Sequence, residues 1–273
     1  MTRAMLIDLN KCIGCRGCQA ACKQWHDLPA EMTTNNGSYQ NPPAFSDKTY
    51  TVVTFNEVEY DERFYWMFAK RQCMHCEHPG CASACTVGAL QKTAEGPVVY
   101  DSSKCIGCRY CQYACPFGVP TFEWQETLGL IRKCDFCVDR TGDGMAPACA
   151  KACPTGAIQF GERDVLLAEA HHRIATQPHK YINHIYGEHE VGGTSMLYLS
   201  GVPFAALGFP KLGEQPVSEY AEKVMGQTPT VAVGVAAIAA GLWWVIKRRE
   251  ENMRPVAVLN ADGKPTADEE VES

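Results

Sequence analysis

Residues 104–116 read KCIGCRYCQYACP, and residues 11–22 read KCIGCRGCQAAC. The same cysteine phrase, C-x2-C-x2-C-x3-C, is thus written twice in one chain, and an internal repeat marks a unit used more than once. The cysteines are what repeat, so the unit is chemical. Working outward, all sixteen cysteines of the 273-residue chain sort into four groups of four. Group one is Cys12, Cys15, Cys18 and Cys22, and group three is Cys105, Cys108, Cys111 and Cys115. Group two, Cys73, Cys76, Cys81 and Cys85, widens the middle gap to four residues, and group four, Cys134, Cys137, Cys149 and Cys153, stretches it to eleven.

Disulfides, structural zinc and iron-sulfur clusters all use many cysteines. A disulfide framework suits short secreted chains without room for a core, whereas this chain is long and 46% hydrophobic. Zinc sites take their ligands as C-x2-C pairs, a plan with no place for a third cysteine after two residues and a fourth after three. The remaining chemistry is the ferredoxin run, in which three cysteines hold one 4Fe-4S cubane and the fourth reaches the other cluster of a pair. Four complete runs imply four 4Fe-4S clusters. The net charge of −6 leaves no basic face for a nucleic acid.

The flanking text pairs the groups. TVGALQKTAEGPVVYDSSK between Cys85 and Cys105 reads as a strand, a turn at Glu95-Gly96-Pro97 and a second strand, the layout of a complete two-cluster ferredoxin. Groups two and three therefore pair, with Cys73, Cys76, Cys81 and Cys115 on one cluster and Cys105, Cys108, Cys111 and Cys85 on the next. CASACTVGAL at group two is echoed by CAKACPTGAI at group four, and PVVYDSSKC before group three by AMLIDLNKC before group one. Groups one and four then form a second unit with the first inserted between its halves. Its ligand sets are Cys12, Cys15, Cys18 with Cys153, and Cys134, Cys137, Cys149 with Cys22.

The neighbours are read more plainly. Thr86 stands where Pro116 and Pro154 follow two of the other final cysteines, and since proline only fixes a turn the cluster is not in doubt. His75 and His78 read as donors to cluster sulfur, not as ligands. Lys11, Arg16, Lys23, Lys104, Arg109, Arg132 and Lys133 crowd the runs, and cations there stabilise a reduced cluster. Residues 48–70 read as a β-hairpin packed on the second unit, and the gap between Cys137 and Cys149 as a polar surface loop. Helical spacing of Val165, Leu166, Ala170 and Ile174 predicts a helix after Gly161, with His171 and His172 on its exposed side. No nucleophile-base pair, Walker loop or dinucleotide fingerprint occurs, so the chain reads as a non-catalytic wire.

Thr230–Ile246, TVAVGVAAIAAGLWWVI, carries no charge and follows Pro229. At 1.5 Å per residue it reaches roughly 26 Å, close to the lower limit for a bilayer span, and it reads as a membrane helix. Ala232, Ala236 and Ala240, with Ala237 and Gly241, form a small-residue stripe for a partner helix, and Trp243 and Trp244 suit an interface. Lys247, Arg248 and Arg249 place the end of the span in the cytoplasm and the clusters on the periplasmic side. MTRAMLIDLNKC runs straight into a strand, so the expected route across is as passenger on a partner with a targeting signal.

KCIGCRGCQAAC, KRQCMHCEHPGC, KCIGCRYCQYACPFGVP, KCDFCVDR, ACPTGAIQFG and YGEHEVGGTSMLYLSG together resemble the four-cluster iron-sulfur subunits of respiratory molybdenum or tungsten oxidoreductases, in particular the beta subunit of membrane-bound formate dehydrogenase. Iron-sulfur subunits of periplasm-facing hydrogenases are similar almost to the same degree. The resemblance implies a catalytic molybdopterin subunit as donor and a membrane cytochrome b feeding quinone as acceptor, with lipid around the helix. The expected fold is α+β: two nested dicluster ferredoxin-like units plus one C-terminal transmembrane helix. Its parts are residues 1–30 with 125–165 (groups one and four), an insertion 31–69, residues 70–124 (groups two and three), a partner-contacting extension 166–228, the helix 229–247 and a tail 248–273.

Overall fold

The first strand, β1 (Arg3–Asp8), explains its own burial. Its Ala4, Met5, Leu6, Ile7 and Asp8 are each no more than 1% exposed, as expected for a strand covered on both faces. A computed structural model describes residues 2–35 and 37–253. After β1 come α1 (Gly17–Trp25), β2 (Val52–Tyr60), β3 (Arg63–Arg71), α2 (Gly80–Ser83), β4 (Leu90–Lys92), β5 (Val98–Tyr100), α3 (Tyr110–Tyr113), β6 (Thr121–Phe122) and β7 (Ile131–Arg132). Then follow α4 (Val138–Gly142), α5 (Ala148–Lys151), β8 (Ile158–Glu162), α6 (Arg163–Thr176), β9 (Met196–Leu199) and α7 (Glu219–Met253). The fold is α+β.

Strand β1 lies at the centre of a three-stranded sheet, antiparallel to β8 and parallel to β9. Because alternate side chains point to opposite faces, Ala4 and Leu6 pack with Leu166 and Ala170 of α6, while Met5 and Ile7 face the core that holds Cys18 and Cys22. The extension after residue 166, expected to serve partner contacts, also supplies β9, a core strand whose four residues are all buried. Helix α6 forms as expected, but Val165 is 62% exposed and the buried stripe is Leu166, Ala170 and Arg173. Successive helical residues lie about 100° apart, so Val165 and Leu166 cannot both face the sheet.

The ferredoxin-like hairpin β4–β5 pairs Leu90 with Tyr100, and its turn carries Gly96 at φ +114°. The expected hairpin in 48–70 is β2–β3, nine residues a side, turning at Asp61-Glu62, both at positive φ, as a tight primed turn requires. It lies on the group-one loop: Gln19 accepts the Val53 amide, and a Cβ on Gly14 would stand 2.9 Å from Phe68. The gap between Cys137 and Cys149, expected as a loop, opens with the helical turn α4 and closes into α5. Residues up to Tyr220 form one unit, and a second starts at Ala221.

In that second unit the apolar helix is longer than its charge-free stretch. Helix α7 begins ten residues before Pro229 and runs through it. Of this helix, Ala221–Met253 is long and apolar enough to cross a membrane, its most apolar stretch having mean hydropathy 1.9 and no burial. Proline costs one backbone bond without forbidding the helix around it, so it does not mark the helix start here. The expected tail reaches beyond Met253, outside the described residues.

Candidate iron-sulfur centres

Each cysteine run is shaped by backbone conformation before any side chain matters. The residue just before the second cysteine has positive φ in all four groups: Gly14 (+66°), His75 (+47°), Gly107 (+69°) and Phe136 (+69°). That left-handed residue curls the loop back on itself, so neighbouring amides turn inward. The amide of Gly107 approaches Cys105 Sγ at 3.4 Å, and that of Ala89 approaches Cys85 Sγ at 3.2 Å. Glycine adopts such angles freely, whereas His75 and Phe136 are strained there. Both are wholly buried, and their rings meet edge to face at 5.1 Å.

The entry to groups one and three also repeats. Asp8 and Asp101 each cap a short 3-10 turn through the amide two residues on, delivering Cys12 and Cys105 with the same backbone angles, φ −72° and ψ 130°. This is the physical content of the echoed AMLIDLNKC and PVVYDSSKC. After the fourth cysteine of groups two, three and four, Gly88, Gly118 and Gly156 all sit near φ +64°. Thr86 therefore leaves the turn unchanged.

Cys12, Cys15, Cys18 and Cys153 line one cavity, and Cys85, Cys105, Cys108 and Cys111 line another. Cys76 lies in the field of Cys73, Cys81 and Cys115, and Cys137 in that of Cys149 and Cys22. Burial is the main reason the thiols resist ionisation: it pushes Cys18 and Cys137 up to about 12 and Cys134 well above the ordinary range, with neighbouring sulfurs adding to the rise in each. Sixteen free cysteines arranged this way fit a cationic metal core that takes thiolates and neutralises them.

Buried polar atoms agree. His75 Nδ1 accepts the Val98 amide at 2.9 Å, so the ring proton resides on Nε2, which has no partner among the described residues. Burial first, then the charges of Lys133, Lys92 and Lys70, holds this imidazole well below its ordinary range and therefore neutral. A neutral N–H donor beside Cys76 suits a cluster sulfur. The buried Tyr198 hydroxyl also lacks a partner there and lies in the field of Cys134 and Cys149. His78 is exposed, and His171 bonds Glu188 Oε1 at 2.8 Å on the outer side of α6, where His172 is also exposed.

Most of the cations near the runs answer to other groups. Lys11 pairs with Asp8, Lys23 with Glu31, Lys104 with Asp101, and Arg132 with Glu123. Arg16 lies over Phe55 and Arg109 over Trp124. Lys133 is the exception, buried and bonded to the carbonyls of Val98 and Cys134. Sequence reasoning missed His26, whose Nε2 meets Asp135 at 2.9 Å and whose Nδ1 stands 3.8 Å from Cys22 Sγ. It also missed Lys70, wholly buried on β3, which joins the group-one cysteines in lining their cavity. A lysine in an alternating strand reads as solvent-facing, and only the covering loop reverses that.

Comparison with known proteins follows the same lines. The 4Fe-4S dicluster domain family matches residues 11–89 and, through a second family model of that description, residues 64–163. Over 245 residues the chain is 40% identical to the nitrate-inducible formate dehydrogenase iron-sulfur subunit of Escherichia coli K12, covering 88% of this chain and 82% of the relative. It is 40% identical to the formate dehydrogenase-O iron-sulfur subunit of the same strain, with 87% and 80% covered. It is also 33% identical to the hydrogenase-2 operon protein HybA of Escherichia coli O157:H7, with 91% and 85% covered. Four cysteine groups on two dicluster domains, a C-terminal helix long enough for a bilayer and identity across nearly the whole chain place it among the formate dehydrogenase iron-sulfur subunits, electron-transfer proteins that carry four 4Fe-4S clusters.

Proposed function

We propose that this subunit passes electrons, one at a time, from a formate-oxidising molybdenum or tungsten subunit to a membrane cytochrome b and quinone. The ligand sets are Cys12, Cys15, Cys18 with Cys153; Cys134, Cys137, Cys149 with Cys22; Cys73, Cys76, Cys81 with Cys115; and Cys105, Cys108, Cys111 with Cys85. The nested unit boundaries of the sequence reading follow from those sets. Bound in these sites, each cluster supplies a one-electron store.

The observation that carries the reading is the order in which the sets meet. Cys18 lies in the field of Cys149, Cys134 in that of Cys73, and Cys81 in that of Cys111. The sets therefore succeed one another as a line: groups one and four first, then groups two and three. The residues between them do work that a wire needs. Phe136 and His75 fill the space between groups four and two and exclude water, while amides and buried donors aim at sulfur and stabilise the reduced charge.

Membrane attachment through α7 is supported by its length and hydropathy. The periplasmic placement of the clusters rests on Lys247-Arg248-Arg249 and the positive-inside rule. Purification of the tagged full chain from membranes tests the reading. A molybdopterin subunit and a haem b subunit should co-purify, and formate should reduce the clusters before the haem. Reduction by hydrogen but not by formate would replace the proposed donor with a hydrogenase, the alternative raised by the HybA likeness.

A further inference from the structure

Lys70 is a buried ammonium without a carboxylate. It is 2% exposed, its one hydrogen bond goes to Thr51 Oγ1 at 3.3 Å, and no Asp or Glu forms an ion pair with it among the described residues. It reaches its place from outside the cysteine runs, on a hairpin laid over the group-one loop. Phe68 and Lys70 point to the same face of β3, Phe68 against Gly14 and Lys70 into the cavity of Cys12, Cys15, Cys18 and Cys153. Its other sulfur neighbours belong to group four. Cys149 and Cys18 are the sulfurs it interacts with most strongly, followed by Cys134.

A buried charge has to be paired, and among the described residues the thiolates of two different ligand sets are in reach. We propose that the Lys70 ammonium is the shared counter-ion of the two clusters held by groups one and four, a positioning residue that raises both of their potentials together. This rests on the ligand sets proposed above. Electron transfer between the two oxidises one cluster as it reduces its neighbour, and no bond forms. A fixed charge between the two sites favours the electron on either.

The test uses the full chain in its complex as wild type, Lys70→Met and Lys70→Arg, with iron analysis and EPR-monitored redox titration of each cluster. About sixteen iron atoms per chain are expected in all three. In Lys70→Met two of the four midpoint potentials should fall together, by roughly the tenfold change in reduced fraction that corresponds to about 59 mV for one electron. Lys70→Arg should restore them, while the other two potentials stay put. Unchanged potentials, or an equal fall at all four, would overturn the proposal. If Lys70→Met fails to load iron, pulsed EPR on wild type grown with 15N-lysine decides. A nitrogen coupling at two clusters that vanishes in Lys70→Arg supports the shared counter-ion, and its absence rejects it. Cys22→Ser in parallel separates the two readings: loss confined to the group-one cluster means that the ligand sets fail, whereas loss of the group-four cluster together with immobile potentials in Lys70→Met sinks Lys70 alone.

Discussion

Gly14 and Gly118 share a left-handed backbone and differ in what surrounds them. A methyl at Gly14 would meet Phe68 at 2.9 Å, whereas one at Gly118 meets nothing within 4 Å. Both alanine substitutions carry the left-handed penalty of roughly 1–2 kcal/mol, and only Gly14→Ala must also displace the hairpin ring. Thermal unfolding should therefore rank Gly14→Ala below Gly118→Ala, with iron lost from the group-one site first. The cysteines offer a sharper test. Cys22→Ser is expected to disturb the cluster held by Cys134, Cys137 and Cys149, leaving the Cys12, Cys15, Cys18 cluster in place, as EPR of the reduced protein would distinguish. Loss confined to the group-one cluster would show that the fourth cysteine does not cross over. The C-x2-C pair that opens each run was legible because its spacing is local. His26, bonded to an aspartate 109 residues away, was not.

Among elements, β1, α6 and the segment after it are tied at one buried carboxylate. Asp8 receives Arg173 Nη1 at 3.1 Å and the Tyr181 hydroxyl at 2.7 Å, and also caps the turn leading to Cys12. Removing one partner of a buried ion pair costs about 3–5 kcal/mol. Glu169 and Gln159 still bond Arg173, so Asp8→Ala is placed near 3 kcal/mol, read by denaturant unfolding of the loaded complex. A larger fraction of chain lacking the group-one cluster should accompany it. The same substitution at Asp101, an exposed cap, should cost clearly less. The two echoed segments look equivalent in sequence, and their difference comes entirely from what the fold places over Asp8.

At the scale of the molecule, the cluster-bearing unit ends at Tyr220 and the apolar helix follows. Truncation after Gln227 should leave a water-soluble, iron-loaded chain that the catalytic partner still reduces but that no longer supports quinone reduction. Full-rate quinone reduction by the truncated form would deny α7 any part in coupling to the membrane subunit. For topology, a reporter fused after Ser273 is expected to be active only in the cytoplasm, and protease added to spheroplasts should reach the cluster unit. Activity of that reporter in the periplasm would reverse the assignment and favour a cytoplasmic donor.

By itself the sequence determined the cluster type and number, the α+β dicluster fold, the family and the presence of one membrane-length helix. Those properties rest on ligands a few residues apart and on an uninterrupted apolar run, both of which are written locally. Tertiary structure alone decided that β9 joins β1 in parallel, that Val165 faces outward, that α7 continues through Pro229 and that Lys70 is sealed among cysteines. Each depends on a partner far along the chain, which sets what a face is covered by, and no periodicity or spacing records the identity of that cover. The lysine is the clearest case: its strand is legible at once, but a charge on a strand is solvated or buried according to the loop laid across it.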